Sequence, residues 1–158
     1  MISTIFDFSD GFHQIRSIHT IISMAFMVIA VWLLIRSVQG IWKGYAYTGL
    51  DKFLAYGFIV NLYLQLIFGL ILFVNPASVA NRDYSGAQSA LEMASKRFWP
   101  IEHIVLMLFA LFIANLGLIF SNKSTDPREK HRKIIIYYAI ALIMIAISLG
   151  AVKYPLSM

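Results

Sequence analysis

Four uninterrupted apolar stretches dominate this chain, and each is long enough to cross a hydrocarbon core, which takes ~20 residues of helix. They run over about 17–35, 53–74, 101–120 and 134–152. A soluble four-helix bundle would show polar outer faces at the helical period, whereas these segments are apolar all round. Composition agrees: 59% of the residues are apolar and 13% charged, against ~45–50% and ~25% in soluble domains. The expected fold is all-α, an integral-membrane four-helix bundle running up-down-up-down. The 158 residues make one transmembrane domain.

With no cysteine in the chain, disulfides, zinc-thiolate centres, thiol nucleophiles and iron–sulfur ligation are excluded. The formal charge of +5 would suit nucleic acid, but the basic residues sit in the gaps between apolar runs. Membrane lipids are therefore the expected partners, not nucleic acid. The flank of the first span, residues 1–14, carries Asp7 and Asp10 and no Lys or Arg. It lacks the basic start of a secretory signal, so the first span reads as a retained helix.

Lys and Arg near span ends set orientation. The stretches 36–52 and 121–133 hold eight of them; the N-terminus, the segment 75–99 and the C-terminus hold five. This balance puts the two basic stretches in the cytoplasm and both termini on the outer side. Trp42 and Trp99 lie near opposite span ends, as interfacial anchors do. In the outer loop 75–99, Asn75-Pro76 ends the second helix and the stretch 85–97 predicts a short surface helix. Pro100 then opens the third helix, where its missing N–H costs nothing.

Ionisable residues within or beside the spans are expensive and are the first candidates for function. Here they are His13, Arg16 and His19 around the start of the first span, and Glu102 and His103 at the start of the third. At ~1.5 Å per residue, His19 and His103 both fall roughly one helical turn inside the outer face. Gly69 and Gly150 lie in the same layer, because the second and fourth helices end there. Two imidazoles from facing helices, beside residues without side chains, are what axial ligation of a b-type haem asks for. The plainer reading is that a histidine at a helix end simply reaches headgroups and water. His13 is the alternative partner for His103; six residues before His19, it points about 120° away from it.

Arg16 and Glu102 carry two readings. In one they form an ion pair tying the first helix to the third, with Arg16 reaching water. In the other Arg16 neutralises a haem propionate and Glu102 carries a proton. Adjacent residues point ~100° apart, so Glu102 does not contact the His103 ring, and the ion pair is the favoured reading. Asn61, Tyr63 and Gln65 spread over about 200° of the second helix; some must face a neighbouring helix as hydrogen-bonding glue, with a quinone pocket the less favoured reading. His131, in the basic turn, has no assigned role, and that turn's charges read first as topology, then as binding of anionic lipid.

Several landmarks together resemble a family of small four-span membrane proteins of Bacteroidota, sometimes labelled cytochrome b-like. They are His13 and Arg16 opening the first helix, Leu50-Asp51-Lys52 opening the second, and the run from Leu64 to Phe73 with Gly69. The most specific is Arg97-Phe98 through Ile101-Glu102-His103, followed by Lys123, Asp126 and Lys130 and a fourth helix resembling the family's from Tyr138. Members commonly carry a histidine where this chain has Tyr63, and four residues rather than three between the first-helix His and Arg. The resemblance implies the bacterial cytoplasmic membrane and a haem b cofactor. It also implies electron transfer, alone or as a subunit of a respiratory-type complex with a redox partner on the outer side. If the family's ligand is the second-helix histidine, this chain has lost it and is a cofactor-free structural or assembly subunit of a larger membrane complex. No nucleophile–base constellation is present, so the chain is not expected to be an enzyme by itself. Few polar residues interrupt the spans, which argues against a transporter or channel.

Overall fold

The structure, a computed structural model, describes residues 8–74 and 90–150, with side-chain surroundings for 11, 13–74 and 101–149. Four α-helices make up this region: α1 (Phe8–Lys43), α2 (Gly49–Val74), α3 (Ala90–Lys123) and α4 (Pro127–Gly150). All four are long and apolar enough to cross a membrane, over His13–Lys43, Gly49–Val74, Ile101–Lys123 and Pro127–Leu149. Large apolar side chains such as Met24, Val28, Phe53 and Phe112 point outward, as a lipid solvent permits.

The elements differ from expectation at α3. Its helix begins at Ala90, so residues 90–97 form its first turns instead of a separate surface helix, and Pro100 lies inside the helix instead of opening it. The run Ala90 to Arg97 is rich in strong helix formers, and a proline inside a helix forfeits only part of the ladder, which membrane helices tolerate. The rest of the expected surface helix and loop, residues 75–89, lies outside the described residues.

Two short turns join the helices pairwise. α1 ends at Lys43, and Gly44 follows with φ +70°, the left-handed conformation that closes a helix and that glycine adopts without strain. Thr48 starts α2: its backbone N–H donates to the Asp51 carboxylate at 2.8 Å, the reach-back half of a capping box. Asp126 caps α4 by accepting the Glu129 N–H at 3.0 Å, with Pro127 at the first helical position.

Buried positions recur at alternating spacings of four and three: Phe26, Ala30 and Leu33 on α1, Met107, Leu111, Ala114 and Leu118 on α3, and Ile134, Tyr138, Ala141 and Ile145 on α4. Such spacing turns one stripe of each helix inward. α1 packs extensively on α2 and α4, and α3 on the same two, so α1 and α3 face each other along a diagonal. Small residues allow the close approaches that membrane helices favour. Gly117 of α3 stands against Tyr137 of α4, and Gly40 of α1 against the His131 ring.

The centre is aromatic. Phe58 lies between Phe26 and Tyr138, at ring-centroid distances of 4.6 and 4.5 Å. The fully buried Tyr138 donates its hydroxyl to the Ala55 carbonyl of α2 at 3.1 Å. Tyr138→Phe keeps the ring and removes only that bond, so it should cost about 1 kcal/mol. Unfolding in mixed micelles against the parent protein measures it.

Candidate functional site

At the end of the bundle away from the two turns, α1 and α3 each contribute one imidazole. His103 is half-buried, and its Nδ1 lies 3.0 Å from Ser148 Oγ on α4. Ser148 gives its own hydroxyl proton to the Ile145 carbonyl at 2.9 Å, so toward His103 its oxygen accepts. A histidine donating from Nδ1 to such an oxygen is oriented as hydrogen-bonded metal-ligating histidines are.

His19, also half-buried, lies against α2, with Cε1 3.8 Å from where a methyl on Gly69 would stand. Its Nδ1 is buried and finds no hydrogen-bond partner among the described residues. A clamp from α2 holds this turn of α1: Gln65 Nε2 donates to Ser23 Oγ at 2.8 Å and to the His19 carbonyl at 3.4 Å, while Ser23 Oγ donates to that carbonyl at 2.8 Å. One turn deeper, Asn61 Nδ2 donates to the Ile22 carbonyl at 3.2 Å.

Of the sequence candidates, His19 lies beside Gly69, and His103 lies against Ser148 at the same end of the bundle. His13 is exposed. Arg16 and Glu102 are exposed too, and no ion pair joins them among the described residues. What surrounds Gly150 lies outside the described residues. Of the three polar residues on α2, Asn61 and Gln65 face α1 as interhelical glue. Tyr63 is exposed and points away from the bundle interior.

The turn end holds a second polar cluster that sequence reasoning missed. Asp51, 1% exposed, accepts from Arg36 Nε at 2.7 Å and Nη2 at 3.1 Å, and from the Thr48 hydroxyl at 2.7 Å. Nearby, the His131 ring is fully buried on Gly40, with the Tyr47 ring edge-on at 5.0 Å. The Ser37 hydroxyl has no hydrogen-bond partner among the described residues, while the Tyr47 hydroxyl lies toward Ser121 and the His131 ring toward the Tyr45 and Ala46 backbone. Burial, above all, pushes the Tyr47 phenol above its ordinary value, which keeps it neutral. The visible signal was the Thr48-to-Asp51 spacing, which places a carboxylate in the first turn of an apolar helix. Nothing in the sequence pairs His131 with Gly40, because that contact depends on helix rotation.

Comparison with known proteins finds no protein family that matches this chain. No curated protein matches it, and no solved structure does. The functional argument therefore stands on the chain's own residues.

Proposed function

We propose that this protein is a small integral-membrane b-type cytochrome, an electron-transfer protein or subunit of a respiratory-type complex, with haem held between His19 and His103. The observation that supports the reading is a half-buried imidazole on each of two helices at one end of the bundle, His19 on α1 and His103 on α3. His103 is oriented by its contact with Ser148, and His19 buries a ring nitrogen that the described residues leave unpaired. Such an orphan costs about 1–3 kcal/mol, and a group bound at this end would compensate it. When bound, haem would supply one-electron transfer, and His19 and His103 are the residues that would hold it.

The chain's own residues do the positioning. Ser148 fixes the His103 ring and raises the basicity of its Nε2. Gln65 and Ser23 lock the α1 turn that carries His19. Arg16, three residues before His19 and on the same helical face, is the cation for a propionate. Glu102, exposed beside His103, is the group for proton exchange with solvent. In this reading the basic turns face the cytoplasm, both termini lie outside, the bundle runs up-down-up-down in a bacterial cytoplasmic membrane, and the redox partner docks on the outer side.

The test is a visible spectrum of the protein purified in mild detergent, oxidised and then reduced with dithionite. The expected result is a Soret band with an α band that sharpens on reduction. His103→Ala should abolish it, while Ser148→Ala should retain the haem with a shifted midpoint potential. Loss in His19→Ala with retention in His13→Ala identifies the second ligand. A native spectrum in His103→Ala sinks the ligand assignment. Colourless protein from haem-replete cells rejects the cytochrome reading in favour of a cofactor-free assembly subunit.

A further inference from the structure

The stretches 36–52 and 121–133 contain eight basic and three acidic residues. All three acids are engaged: Asp51 with Arg36, Glu129 with Arg132, and Asp126 as the cap of α4. What remains is a surplus of cations, and the fold gathers three of them on one turn. Lys43 Nζ lies 5.8 Å from the Tyr45 ring centroid, and Lys130 Nζ lies 5.8 Å from that of Tyr47. The Arg128 guanidinium reaches over from α4 onto Gly44, with Nη2 3.1 Å from where a β-carbon would stand. Glycine at this left-handed position both turns the chain and lets Arg128 approach the backbone.

Beside these cations, Trp42 is 82% exposed and Tyr45 46% exposed. Exposed indole and phenol rings at a span end belong at headgroup depth, which is also the depth of lipid phosphates. Above them the outward face of α1 is apolar, with Ile35, Trp32 and Val28 exposed. One surface thus offers cations at headgroup depth and an apolar track for acyl chains.

We propose that the turn end of the bundle carries a binding site for an anionic phospholipid, its phosphate held by Lys43 and Arg128 at the Gly44 turn, with Lys130 completing the positive rim. The ligand comes from the surrounding leaflet, and the site is independent of haem at the other end. Diffuse attraction of a basic loop to a charged surface would involve all the cations alike; this site gives two of them a special part.

The experiment is native mass spectrometry of the full-length protein in detergent, titrated with phosphatidylglycerol or with phosphatidylcholine of the same chain length. Phosphatidylglycerol should bind well ahead of phosphatidylcholine. Each basic residue at a membrane surface contributes roughly fivefold, so Lys43→Gln with Arg128→Gln should weaken phosphatidylglycerol binding roughly 30-fold. Lys52→Gln with Lys123→Gln removes the same charge elsewhere and should leave most of the binding. Thermal melts in phosphatidylcholine check that both double variants remain folded; should the Lys43/Arg128 pair not fold, Arg128→Gln alone gives the same reading at roughly fivefold. Equal binding of the two lipids, or equal loss in the two double variants, overturns the proposal. So does displacement of the lipid by millimolar inorganic phosphate, which would make the site one for free phosphate.

Discussion

Asp51→Ala should remove about 3–5 kcal/mol of stability, the cost of breaking a buried ion pair by deleting one partner. Asp51 is 1% exposed and accepts four hydrogen bonds, two from Arg36 and two from Thr48. Deleting it leaves a guanidinium without its counter-charge and the Thr48 N–H and hydroxyl without their acceptor. Arg36 has 24% of its side chain exposed, so water relieves part of the loss and the lower end of the range is expected. Asp51→Asn keeps an acceptor for Thr48 and should cost less than the alanine change. The measurement is unfolding in mixed micelles, followed by helical signal. A loss under 1 kcal/mol for Asp51→Ala would mean that the pair does not hold the turn end together. Changing Arg36→Met together with Asp51→Ala should cost less than the sum of the two, because neither charge is then stranded.

Gly117→Ala comes second. A methyl on Gly117 would stand 2.5 Å from the Tyr137 Cβ and 3.3 Å from Cδ2 of Tyr138. The first of these atoms is fixed to the α4 backbone and cannot rotate away, so α3 and α4 must separate. Overpacking of that kind costs about 1–3 kcal/mol, against a gain of under 1 kcal/mol in helix propensity. Gly57→Ala is the matched control: its methyl would meet only Ile29 Cδ1 at 3.9 Å, ordinary contact. It should be neutral or slightly stabilising. If both glycine variants melt with the parent, the α3–α4 contact is looser than described.

The helices were legible because a bilayer leaves a chain few choices. Apolar length alone located four spans, and the ends of α2 and α4 could be read from Thr48, Asp51 and Asp126. What hydropathy does not encode is rotation about the helix axis. It decides that Gln65 faces α1 while Tyr63, two residues away, faces outward. It also decides that the unassigned His131 lies fully buried on Gly40. The Ser148 contact with His103 was not readable, because serine is common in membrane helices and carries no signal of its partner. Pro100 misled for a different reason. Proline marks helix starts in soluble proteins, and a membrane helix can absorb it.

The two short turns, 44–48 and 124–126, divide the molecule in a further way. Each closes a pair of antiparallel neighbours, α1 with α2 and α3 with α4, and the most extensive interface lies inside the second pair. The Arg36–Asp51 pair lies inside the first, at its own turn. The bundle is thus two helical hairpins, each able to enter a bilayer as a unit with its strongest polar contact already made. His19 and His103 belong to different hairpins. A group held by both, as proposed, would bind only once the two halves have come together, so its arrival would be the final step in the protein's assembly.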